Sequence, residues 1–126
     1  MKPQAVIFDI GNVLCGWQPE RFYDTIMPQA MRRKMFAEVD LHGMNELIDK
    51  GALFRETVYD WADRHPDWSG YVRMWFDNWF DLASPYIDRS IRLQRALRAR
   101  GVPVFALTNF GSHSFAHAET RFAFLR

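Results

Sequence analysis

The sequence predicts an α/β fold in which an incomplete parallel sheet carries an all-helical segment inserted after its first strand. Three observations point there. Two short unbroken apolar runs, Ala5-Val6-Ile7-Phe8 and Val102-Pro103-Val104-Phe105-Ala106-Leu107, stand far apart in the chain. Continuous hydrophobicity over so few residues suits parallel strands covered on both faces. Each run closes in polar turn residues, Asp9-Ile10-Gly11-Asn12 and Thr108-Asn109-Phe110-Gly111-Ser112. Between them apolar residues recur at helical spacing, and nothing alternates like a strand.

Taken in order, the first strand ends at Asp9, and Gly11-Asn12 supplies a turn. Pro19 opens a helix at its first position, and Pro28 ends that helix and starts another. The second is expected to run to about Val39, with Met31, Met35 and Phe36 on its apolar side. Phe54, Thr57, Val58 and Trp61 mark a further helix that ends near His65-Pro66. Tyr71, Val72, Trp75, Phe76, Trp79 and Phe80 repeat the spacing in one more. Another spans Ile87 to Arg100, with Ile87, Ile91 and Leu97 on one side and Arg92, Arg95 and Arg98 on the other. Gly101 is its expected C′ residue. Pro103 stands at the start of the second strand, where a missing N–H is tolerated. A last helix runs from His113 to about Phe122. These elements divide into a core of residues 1–15 and 89–126 and a helical segment of residues 16–88.

Composition bounds the function. Of 126 residues 48% are hydrophobic and 25% charged, which describes a folded chain and not a disordered one. A net charge of +1 gives no general attraction to nucleic acid or acidic lipid. Cys15 is the only cysteine, so no internal disulfide can form. No apolar run is long enough for a signal-peptide core or a membrane span, so a cytoplasmic protein acting on a small molecule is expected.

A β–α–β crossover makes the two strands parallel, and ligands gather at the carboxyl ends of such strands. The strands here end in Asp9 and in Thr108-Asn109. An aspartate is a ready carboxylate nucleophile at neutral pH, and a strand end orients it. Thr108 and Asn109 offer a hydroxyl, an amide and backbone N–H groups just ahead of a helix, an arrangement that suits an anion. Alone, Asp9 reads as a turn residue and Thr108-Asn109 as an N-cap loop. Their occurrence at matching strand ends makes one crevice of them.

Two segments carry a family resemblance. Ala5 to Leu14, AVIFDIGNVL, resembles the first motif of the haloacid dehalogenase superfamily, with Asp9 as nucleophile and Val13 four positions on. Phe105 to Gly111, FALTNFG, resembles the second, whose Ser or Thr binds the transferred group and is Thr108 here. The helical stretch between them sits where that family inserts a cap. The resemblance implies a Rossmann-like core and a hydrolase in which Asp9 forms a covalent aspartyl intermediate. Thr108 and Asn109 would hold the anionic group, and Ile10, Gly11 and Asn12 would meet substrate. Arg21, which follows the first strand closely, is placed to meet an anionic substrate but reads first as an exposed arginine on the first inserted helix. In phosphatase members Mg²⁺ sits on the nucleophile and on the backbone carbonyl two residues later, here Asp9 and Gly11. It offsets repulsion between two anions.

Two departures qualify what the resemblance implies. Phosphatases of the superfamily usually carry a second Asp, the proton donor, where this chain has Gly11. A halide leaving group needs no proton, so a metal-independent 2-haloacid dehalogenase stays open beside the favoured phosphatase, which the Gly11-Asn12 pair resembles. The later motifs, a lysine and an acidic pair, have no counterpart: after Thr108 the chain offers Arg121, Arg126 and Glu119 alone as charged residues. The expectation is a truncated, impaired hydrolase. Its alternative is an inactive fragment that serves as an interaction module and self-associates through an exposed sheet edge. His113 and His117, four apart, read as surface histidines rather than a metal pair, and the tryptophans of the helical segment read as core.

Overall fold

The computed structural model describes residues 4–12, 14–85, 87–108, 110–122 and 125, without the side chains of residues 106 and 107. It is a mixed α/β structure, mostly helical. Two strands, β1 (Val6–Asp9) and β2 (Val104–Leu107), pair in parallel, and the register sets Asp9 against Leu107. Both polar strand ends therefore lie at the same edge of the sheet.

Between the strands lie α1 (Pro19–Asp24), α2 (Gln29–Val39), α3 (Leu41–Asp49), α4 (Phe54–Asp63), a 3₁₀ turn (Pro66–Trp68), α5 (Ser69–Asp77), α6 (Trp79–Leu82) and α7 (Asp88–Ala99). Helix α8 (Ser112–Glu119) follows β2. Pro19 stands at the start of α1 and Pro28 caps α2, as their fixed φ and missing N–H dictate. Gly101, at φ +77°, ends α7 in the left-handed conformation that favours glycine.

Three sequence expectations change. Helix α3 was not anticipated: His42, Gly43 and Asn45 weaken its helical signal. Asp40 nevertheless caps it, accepting the Gly43 N–H at 3.1 Å, and Leu41, Met44 and Ile48 bury one face. The single helix expected across Tyr71–Phe80 is two, broken at Asn78, whose φ of −112° departs from the helical range. The sheet is not covered on both faces. Phe8 is buried, whereas the paired residues Ile7 and Phe105 on the other face are 63% and 57% exposed.

The core lies chiefly among the helices, around Tyr23, Met35, Met44, Trp75 and Trp79. Large aromatic rings meet there edge to face, as Trp17 does with Trp75 at 5.7 Å. Polar tips find partners: Tyr23 donates to the Tyr71 carbonyl at 2.7 Å and Trp61 to the Val39 carbonyl at 2.6 Å. The Arg32 guanidinium clasps Asp24 and ties α2 to α1.

The chain leaves the sheet and comes back to it along one seam. The Gly16 N–H donates to the Pro85 carbonyl (2.8 Å), Gln18 to Leu82 (2.9 Å) and Ile87 to Leu14 (2.8 Å). A Cβ at Gly16 would collide with the Ser84 carbonyl, so only glycine lets the two passages approach this closely. Among the described residues no helix is long and apolar enough to cross a membrane.

Candidate active site

Asp9, the last residue of β1, is exposed and accepts the Ile10 N–H at 2.8 Å. Ile10 itself is fully buried, backbone included, and its N–H is already given to Asp9, so it presents no group to the cleft. The chain then turns: Leu14 and Cys15 donate to the Ile10 carbonyl, and Asn12 takes a φ of +60°. Asparagine tolerates that left-handed conformation better than most residues. The Asn12 side-chain oxygen accepts the Trp17 N–H at 2.9 Å, which closes the turn. Cys15 is buried, and burial pushes its thiol up to about 11, so it stays protonated and unreactive.

One residue past β2, Thr108 accepts the Phe110 N–H on its hydroxyl at 3.0 Å. Asp9, Gly11, Asn12 and Thr108 line one cleft of about 210 Å³, completed by Trp17, Asn45, Asp49 and Phe110. Among the described residues, the sequence-predicted Ile10 and Arg21 do not line this cleft. Arg21 lines a separate depression with Phe22, Thr25 and Asp81, and its guanidinium donates to Gln18 at 3.0 Å. Asn109, like Val13, lies outside the described residues.

The opposite wall of the cleft was not anticipated. It comes from α3, whose last turn carries Asp49. Asn45, one turn earlier on the same helical face, donates to Asp49 Oδ2 at 3.4 Å. The orientation of that amide is settled by Trp75: its indole N–H, a donor only, reaches Asn45 Oδ1 at 3.1 Å. Trp75 is wholly buried, so a rigid core group aims the Asn45 NH₂ at Asp49. Half-buried and beside Glu46, the Asp49 carboxyl is pushed up to about 6, burial contributing most. Helical spacing from Leu41, Met44 and Ile48 contained the signal for this wall.

The loop after β2 and the end of α3 meet backbone to backbone. A Cβ at Gly111 would collide with the Ile48 carbonyl. Gly111 has an ordinary extended φ of −65°, so close approach and not backbone strain requires glycine there. That contact holds the Thr108 loop against the helix end that bears Asp49. Beside the cleft runs a wider groove lined by Glu46, Asp49, Lys50, Thr108 and Phe110. Lys50 is the cation of this region; among the described residues no cationic side chain lines the Asp9 cleft.

Magnesium prefers oxygen donors and keeps several waters, with one or two carboxylates completing its shell alongside substrate phosphate. The exposed Asp9 carboxylate and the backbone oxygen of Gly11 are donors of that type. Among the described residues no three His, Cys, Asp or Glu side chains converge as a ready-made metal cluster. The set thus suits a cation shared with an anionic substrate.

His117 corrects a further expectation. It is not a surface histidine but packs among Phe54, Phe76, Trp79 and Phe80, with ring centroids 4.8–5.8 Å away. Burial, aided by Arg121, holds its imidazole below the usual range. Comparison with protein-family models, curated proteins and solved structures finds no match for this chain.

Proposed function

We propose that the protein is a hydrolase of the haloacid dehalogenase type, acting on a small phosphate ester through a covalent intermediate on Asp9. The observation that carries this reading is the meeting of Asp9 and Thr108, from the ends of two parallel strands, in one cleft. In this reading residues 16–88 serve as the cap over a partial Rossmann-like core. The cleft volume suits a phosphoryl group with a small remainder, and larger substrates would extend into the Lys50 groove.

Asp9 attacks phosphorus while the Thr108 hydroxyl and the backbone around it hold phosphoryl oxygens. Mg²⁺ held by Asp9 and the Gly11 carbonyl would supply the positive charge that the described side chains of the cleft lack. With no cationic side chain among the described residues that line the Asp9 cleft, turnover by the 126-residue chain is expected to be slow.

The test is hydrolysis of p-nitrophenyl phosphate with Mg²⁺ by the purified chain. Slow release that disappears in Asp9→Asn and on chelation is expected. Release indifferent to Asp9→Asn, or none at all, overturns the proposal. Gly11 favours a second reading, since it offers no proton and halide departure needs none. A 2-haloacid dehalogenase would release halide from 2-chloropropionate, and chelation would leave that rate intact. The exposed pair Ile7 and Phe105 favours a third, an inactive module that self-associates; such a protein shows no Asp9-dependent turnover.

A further inference from the structure

We propose that Asp49 is the proton donor to the departing oxygen of the substrate, supplied by helix α3 from the wall of the cleft it shares with Asp9. This role rests on the phosphatase reading above. It answers a specific deficit: Gly11 follows the nucleophile where a carboxylic acid would be needed, and a glycine has no proton to give.

Position comes first. Asp49 and Asp9 line the same small cleft, and Asp49 and Thr108 also line the wider groove beside it. The close backbone approach of Gly111 to Ile48 sets the end of α3, which bears Asp49, against the segment that follows β2. Orientation follows. The chain from the buried Trp75 N–H through the Asn45 amide ends on Asp49 Oδ2, and leaves Oδ1 as the oxygen that can carry the proton.

The surroundings suit an acid. Among the described residues no ion pair engages Asp49: Glu46 and Lys50 flank it on its own helix, and Asp9 lies in the same cleft. Burial and the Glu46 charge both favour the protonated carboxyl, so near neutrality a usable fraction carries its proton. Asp9 is exposed and accepts a backbone N–H instead. Two carboxyls in different environments divide the roles of acid and nucleophile.

The chemistry balances. As Asp9 forms its bond to phosphorus, the phosphorus–ester oxygen bond breaks, and the departing oxygen takes the Asp49 proton to leave as an alcohol. The Asp49 carboxylate then accepts a proton from the water that attacks the aspartyl phosphate. The bond from phosphorus to Asp9 breaks, inorganic phosphate departs, and both carboxyls are restored.

A leaving group that is already a weak base needs little proton donation, whereas an alkoxide needs it most. The test compares Asp49→Asn with the unaltered chain on p-nitrophenyl phosphate and on glycerol phosphate, both with Mg²⁺. The ratio of glycerol to nitrophenyl rates is expected to fall about 100-fold, within the range of general acid catalysis. A ratio unchanged within about threefold, while Asp9→Asn still abolishes turnover of both esters, overturns the role of Asp49 and leaves the hydrolase reading standing. An unaltered chain inert toward both esters overturns the hydrolase reading, and this role with it.

Discussion

Replacing Asp49 by asparagine should make the protein more stable at neutral pH. In an unfolded chain this carboxyl has its ordinary value of 3.8, and in the fold it is held near 6. Below about pH 4 both states are protonated and the group has no differential effect. Between those values the folded state binds the proton more tightly, so stability falls as pH rises through the window. Above it the full cost of ionising a half-buried carboxylate is present. Each pH unit of difference corresponds to about 1.4 kcal/mol, so complete burial would give about 3 kcal/mol. Water reaches this side chain, and screening reduces the cost to about 1 kcal/mol. Asparagine keeps an oxygen for the Asn45 NH₂ and removes the charge. The gain at pH 7.5 should be about 3–5 °C in melting temperature and should vanish near pH 4. Thermal unfolding followed by circular dichroism at both values measures it. A variant less stable at pH 7.5, or equally stabilised at both, would refute the reasoning.

Two further perturbations probe the supports of the cleft. Gly111→Ala should cost about 1–3 kcal/mol in denaturant unfolding, because its methyl meets the Ile48 carbonyl with no flexible side chain to yield. A neutral result would mean that the loop and α3 are not in backbone contact. His117, held below its ordinary 6.5, binds protons more weakly folded than unfolded, so it lends stability that is complete above about pH 6.5 and fades as pH falls below it. His117→Phe, which keeps a ring among the four aromatics, should flatten the stability profile between pH 5 and 6.5. An unchanged slope would count against the packing described.

Much of the fold was legible because its signals are local. The apolar runs around Ile7 and Phe105, the prolines at 19 and 28 and the glycine at 101 each act through a few neighbouring residues. Asp9 and Thr108 could be placed together for a related reason: a parallel crossover brings strand ends to one edge whatever lies between. Helix α3 escaped notice because Gly43 and Asn45 are poor helix formers, and tertiary burial of Leu41, Met44 and Ile48 outweighs that propensity. The break at Asn78 hid within an apolar spacing that ran on without interruption. Asp49 was illegible for a deeper reason. The upward push on its carboxyl comes from desolvation by the fold and from the Glu46 charge, and its orientation from an amide turned by an indole thirty residues away. Arg21 shows the converse, a plausible cation near the first motif that the helix turns toward Gln18 instead.

The seam at residues 14–18 and 82–87 has a consequence for how such a molecule can change. A segment that departs and returns at neighbouring points imposes no spacing on the strands it interrupts, so its helices can be lengthened, shortened or exchanged without moving them. In the proposed reaction Asp9 would belong to the part left unmoved, and Asp49 to the exchangeable one. If that reaction holds, swapping the insert would alter which leaving groups are released while the Asp9 carboxylate stayed where it is.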